Sequence, residues 1–229
     1  MMRFSLACAA VALCTSPLSA ATFHTDEASY LTSTGAQTQV TPVNNGIFSA
    51  SPVTADGATF TPRTDLSAPN AGFGGGTLYP EPSTLIDAPV YWISGDESFD
   101  ITFTDLVYGV SFLIHEPSTG VTTPNAPDQC NVTTCTDTTF SFELLTGGIG
   151  GTSLGTFTLN PTDDAAVFVG FSDAGGFDAL RVVDTTATQD NEFFGEFQYA
   201  AAAPVPLPAG LPLLLAGGAA LFMMGRRRG

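Results

Sequence analysis

Ser98-Phe99-Asp100-Ile101-Thr102-Phe103-Thr104-Asp105 alternates large apolar and polar side chains through its middle. Successive side chains of a strand point to opposite faces, so Phe99, Ile101 and Phe103 share one face and Asp100, Thr102 and Thr104 the other. One buried and one wet face on the same strand is the pattern of antiparallel sheet. Val107 to His115 follows at once, with Val110, Phe112 and Ile114 on one side. Together the two segments predict a hairpin or a bent double strand.

Working outward, the same period recurs. Thr139 to Leu145 sets Phe140, Phe142 and Leu144 against Ser141 and Glu143. Leu154 to Leu159, Ala166 to Phe171, Phe177 to Val183 and Phe193 to Tyr199 read as further strands. Upstream, Gln39 to Val43, Ala58 to Thr61 and Val90 to Ile93 are expected strands. Asp26 to Leu31 is expected to form one or two helical turns capped by Thr25. Phe73-Gly74-Gly75-Gly76 and Pro80-Glu81-Pro82 read as loop, and Thr119 to Asp137 as a long loop or irregular hairpin. Roughly eight to ten short strands punctuated by turns predict an all-β fold, an antiparallel β-sandwich of jelly-roll type. No helical period is long enough for a βαβ unit.

Composition agrees. Hydrophobic residues make up 44%, with 18 phenylalanines to fill a core, while 24 glycines and 16 prolines supply turns. All 22 acidic residues lie between Asp26 and Glu196, and the only bases in that span are Arg63 and Arg181. Two arginines against 22 acids leave the body at −20, beyond the whole-chain −16. Such a surface repels nucleic acid and anionic lipid, so no nucleic-acid partner is expected. It attracts divalent cations, or simply keeps the protein soluble.

The two ends differ from the body. Met1-Met2-Arg3, the apolar run Phe4 to Leu13 and the small-residue exit to Ala21 form a secretory signal peptide over residues 1–21, with cleavage before Thr22. Cys8 and Cys14 leave with it. Cys130 and Cys135 remain, and so close a pair in an exported protein is read as a disulfide. The body is taken as 22–199 and a small-residue linker as 200–204. Residues 205–229 form the tail: Val205-Pro206-Leu207-Pro208-Ala209, the apolar run Leu211 to Met224, and Arg226-Arg227-Arg228. A helix over that run rises only about 21 Å against roughly 30 Å of hydrocarbon, so it is a short transmembrane helix. The arginines act as a membrane stop that keeps this end cytoplasmic and the body outside.

That tail resembles the VPLPA-type PEP-CTERM sorting signal of exported bacterial proteins. The resemblance covers residues 205–229 and rests on the pentapeptide, the helix and the terminal arginines in that order. It implies recognition by an exosortase-type membrane protease, transient residence in the inner membrane, and a destination at the cell surface or in exopolysaccharide. Ile101 to Phe112, Phe168 to Phe171, Phe177 to Val182 and Asp190 to Tyr199 also look like strands of PEP-CTERM cargo domains.

Few residues point to chemistry. His24 is expected near a mobile terminus, and His115 at a strand end near the surface. There is no G-x-S-x-G, no H-E-x-x-H and no lysine, so no catalytic residue is assigned and the chain is not expected to be an enzyme. Asp26-Glu27, Asp96-Glu97 and Asp163-Asp164 are adjacent acids, and paired carboxylates would support the alternative of an extracellular carbohydrate-active hydrolase. Hard cations take loop carboxylates and carbonyls, which makes a structural calcium the ligand to consider. Asp190, Asn191 and Glu192 are the candidate ligands, with Asp163-Asp164 and Asp173 as alternatives. Tyr91 and Trp92 are core residues or a sugar-stacking platform. The expected role is that of an exported cell-surface or matrix protein with a structural or glycan-contacting body.

Overall fold

A computed structural model describes residues 20–41, 48–49, 52–63, 72–75, 86, 91–94, 98–118, 135–186 and 192–201. In chain order the elements are β1 (Thr22–His24), α1 (Glu27–Thr34), β2 (Thr38–Gln39), β3 (Phe48–Ser49), β4 (Val53–Ala55), β5 (Ala58–Pro62), β6 (Gly72–Gly75), β7 (Tyr91–Ser94), β8 (Phe99–His115), β9 (Phe140–Thr146), β10 (Thr152–Leu159), β11 (Ala166–Asp184) and β12 (Phe193–Ala200). All strand pairs are antiparallel.

Of the two expected alternatives, the bent double strand is the one that forms: Phe99–His115 is one strand of 17 residues, β8, and not a hairpin. It pairs along most of its length with β11, a strand of 19 residues. Ala166–Ser172 faces His115–Gly109, and Ala179–Val182 faces Thr102–Phe99, with register shifts between Ser172 and Ala179. Such shifts bend strands and increase their twist.

On each side of the bend the two strands acquire different neighbours. Phe99–Phe103 pairs with β5, and Ala179–Asp184 with β9. Gly109–His115 pairs with β12, and Gly170–Ser172 with β1. One layer therefore runs β10-β9-β11-β8-β5-β4. The other runs β1-β11-β8-β12-β7-β6-β3, with β2 also on β12. Phe142 of the first layer meets Phe171 of the second at 5.1 Å between ring centroids, and Phe60 meets Phe197 edge-on at 4.9 Å. The molecule is thus a β-sandwich folded from a continuous hydrogen-bonded sheet.

Phenylalanine fills the space between the layers. Phe60, Phe99, Phe112, Phe140, Phe142, Phe171, Phe177, Phe194 and Phe197 are each less than 2% exposed. Those of β5, β8, β9 and β11 come from the apolar register of their strands, whereas Phe194 and Phe197 of β12 reach the core together across a register shift between Gly195 and Gln198. Offset and edge-on ring contacts account for the packing of such rings.

Helix α1 covers the outer face of the second layer. Its cap is Asp26, whose Oδ1 accepts from the Ser29 amide at 2.9 Å, one residue later than the expected Thr25. Tyr30 of α1 lies on Gly109 and Gly170, which stand diagonally across adjacent strands, since Gly170 is paired with Ser111 and Gly109 with Ser172. A Cβ on either glycine would come within 2.9 Å of a Tyr30 atom. Both glycines are therefore a seat for the ring.

Two more expectations change. Phe73 to Gly76, read as loop, contributes β6, paired on both sides by β3 and β7. Backbone ladders hold it there, and these do not depend on side-chain pattern. The expected Gln39–Val43 strand is β2, Thr38–Gln39, with residues 42–47 outside the described part. The signal peptide through residue 19, Cys130, Asp190, Asn191 and the tail from residue 202 also lie outside it. Among the described residues no helix is long and apolar enough to cross a membrane. Cys135 is disulfide-bonded.

Candidate functional site

In an antiparallel sandwich the end of one strand lies beside the start of its neighbour. Here the end of β8 meets the starts of β11 and β12, since His115 is the register partner of both Ala166 and Phe193. The start of β9 pairs with the end of β11 through Phe140 and Asp184. Acids flank nearly every one of these termini.

Glu116, Asp137 and Asp163 converge there. One carboxylate oxygen of each lies within 4.8 Å of the others. Glu116 is 1% exposed and forms the floor, while Asp137 and Asp163 are exposed at the mouth. Thr138 ties the floor to a second buried acid. Its amide donates to Glu116 Oε1, and its hydroxyl donates to Glu192 Oε1 at 2.9 Å. Glu192 is also 1% exposed. A third buried acid, Asp184, accepts from the Thr186 amide at 2.7 Å and hydroxyl at 2.6 Å. Asn160 Nδ2 donates to Asp137 Oδ1 at 2.6 Å, fixing one wall of the mouth.

Burial shapes the electrostatics. Desolvation pushes the Glu192 carboxyl up to about 8, opposed by a hydrogen bond from its own backbone amide. Asp164 is held below the usual carboxylate range by the Ser118 hydroxyl and amide, both of which donate to it. Asp164 therefore turns to Ser118 while Asp163 turns to Glu116 and Asp137. Two unit charges about 4 Å apart repel by ~4 kcal/mol at a surface-like dielectric of about 20. Three carboxylates this close are relieved by a proton or by a cation. An all-oxygen donor set with one buried and two accessible carboxylates suits a hard ion such as calcium.

Of the residues expected to ligate, Asp163 belongs to the trio. Glu192 stands behind it, connected through Thr138 to Glu116. Asp173 is elsewhere, in the bend of β11, accepting from the Gly175 amide at 2.8 Å. Glu116 and Asp137 were not expected. Their signal was positional: one follows β8 directly and the other precedes β9, at the same end of the sandwich.

Both histidines differ from expectation. His24 is 8% exposed in β1, with Nε2 2.8 Å from Ser172 Oγ and Nδ1 3.4 Å from Ser29 Oγ. Docking of β1 on β11 places it there, and burial lowers its basicity. His115 is 1% exposed and stacks on Phe193 at 5.7 Å. Among the described residues adjacent acids do not form facing pairs: Asp26 caps a helix, and Asp163 and Asp164 diverge, while Asp96 and Glu97 lie outside the described residues.

These features define an antiparallel β-sandwich with a carboxylate cluster at one end. No protein family, no curated protein and no solved structure matches the chain.

Proposed function

We propose that this is an exported cell-surface or extracellular-matrix protein, delivered by an exosortase-type system, whose sandwich body has a structural or glycan-contacting role. The observation that carries this reading is the layout of the chain. A leader over residues 1–21 and a Val205–Ala209, apolar-helix and Arg226–Arg228 tail bracket an acidic all-β body. Within the body, both histidines are built into packing and the convergent ionisable groups are carboxylates. On this reading the body is not an enzyme, the jelly-roll likeness describes its kinship, and Cys130 pairs with Cys135. The partners are the sorting protease, the inner membrane in transit and exopolysaccharide at the destination. A structural calcium at Glu116, Asp137 and Asp163, backed by Glu192, pins the strand ends.

A second reading, an extracellular carbohydrate-active hydrolase, draws on the same cluster. Buried carboxyls beside exposed ones are the arrangement that separates an acid from a base. Deleting residues 204–229 and following the protein separates location from activity. The deletion is expected to leave the body off the cell surface and free in the exported fraction. Full-length protein found in the cytosol with both ends uncut would overturn the proposal. Hydrolysis of a polysaccharide by the purified body, lost in Glu116→Gln, would favour the second reading.

A further inference from the structure

Among the described residues strand β10 is the outermost strand of the first layer and pairs only with β9. It is eight residues long, whereas β1 and β4 have three and β2 and β3 have two. Natural edge strands are protected by shortness, charge, proline or a bulge. A bulge at Ser153–Gly155 protects only the first part of β10. From Gly155 to Leu159 the strand is regular, and Leu144 to Thr162 contains no charged residue.

The side chains of that regular run read almost the same in either direction: Gly155-Thr156-Phe157-Thr158-Leu159. Phe157 and Leu159 face the core opposite Phe142 and Phe140, and both are only partly buried. Thr156 and Thr158 are exposed on the outer face. We propose that β10 is a self-pairing edge, joining antiparallel to β10 of a second copy about a two-fold axis at Phe157.

In that register Phe157 faces its own copy and Leu159 faces Gly155. Thr156 faces Thr158 twice on the outer side, a favourable cross-strand pair. The midpoint of the bulge-free run sets this register. The near-symmetric order of side chains about Phe157 selects a second copy as the occupant, and charge permits it. Two bodies at −20 repel elsewhere, but here no like charges oppose one another. The nearest acids on the outer face, Glu143 of each copy, end at least roughly 14 Å apart across three strand spacings, beyond a Debye length of about 8 Å. Each Glu143 also has Arg181 within 3.8 Å. A two-strand seam is small, so the dimer is a weak one. A symmetric pair needs no other partner, because the same patch serves both sides.

The test is sedimentation of the intact chain from micromolar to millimolar concentration. The wild type is expected to shift from monomer towards dimer. Thr156→Lys with Thr158→Lys sets lysine against lysine across the seam and should weaken association at least tenfold. Thr156→Lys with Thr158→Asp sets lysine against aspartate and should restore it. Circular dichroism of each variant confirms that the sandwich is intact. A wild type still monomeric at millimolar concentration overturns the proposal. So does equal behaviour of the two double variants, because only this register distinguishes them.

Discussion

Arg181 Nε lies 3.1 Å from Asp100 Oδ1, and the two residues are direct register partners across β11 and β8. Arg63 Nη1 approaches the same oxygen at 3.4 Å from beyond β5. The only two basic residues between Asp26 and Glu196 therefore share one carboxylate. The Asp100 side chain is 12% exposed, between a surface pair and a buried one. Asp100→Ala is expected to cost about 1–3 kcal/mol, because it leaves two guanidinium groups partly desolvated. Glu143→Gln, at a more exposed contact, should cost less than about 1 kcal/mol. Urea titration of both variants checks this; equal costs would show that Asp100 is not the shared anchor.

Gly109 and Gly170 seat Tyr30, so a methyl group at either position has no room. Gly170→Ala is expected to destabilise by about 1–3 kcal/mol through overpacking. In a Tyr30→Ala background part of that penalty should vanish, the rest coming from the Phe168 ring, which a Cβ at 170 also meets at 2.9 Å. A double-mutant cycle measures the coupling. An additive cycle would place the strain elsewhere.

Calcium should raise the melting temperature of the purified protein after EDTA treatment. At a hundredfold excess over the dissociation constant the gain is about 2.7 kcal/mol. Asp137→Asn with Asp163→Asn should abolish the response while leaving the EDTA-treated protein near its wild-type stability. A melting temperature indifferent to both EDTA and calcium removes the cation from the proposed function.

Acid and base sides of the stability curve separate two buried groups. The Glu192 carboxyl titrates near 8 when folded against 4.5 as the reference. Its contribution is complete below the reference value and falls as pH rises towards 8, since the unfolded chain loses its proton first. In metal-free protein the slope is at most about 1.4 kcal/mol per pH unit, and Glu192→Gln should flatten it. His24 acts in the opposite sense. Burial lowers its value below 6.5, so its contribution is present above 6.5 and declines as pH falls through the folded value. His24→Gln should remove that acid-side decline. Denaturation midpoints across the pH range test both; unchanged profiles in both variants would mean neither group controls the curve.

The strands were legible where burial imprints a period of two, as on Phe99–Phe103 and Phe140–Leu144. In Phe193–Tyr199 a register shift between Gly195 and Gln198 breaks that period and places Phe194 and Phe197 together in the core. The bend was not. Val107–His115 could follow Ser98–Asp105 as a hairpin partner or as a continuation, and local alternation is identical in both cases. Pairing with β11 decided between them, and that contact lies far away in sequence. β6 was invisible because glycine strands carry no side-chain pattern. The site was half legible. Asp163 and Glu192 stood out as loop acids beside strands, but Glu116 and Asp137 required knowing which strand ends share one end of the sandwich. His24 was misplaced because three residues of edge strand leave little trace in a sequence.

Since β8 and β11 each belong to both layers, neither layer can melt while the other keeps its hydrogen bonds. Loosening one half of either strand frays the other half through the same backbone. The body should lose its structure in a single cooperative step, with fluorescent reporters placed in either layer giving one shared midpoint.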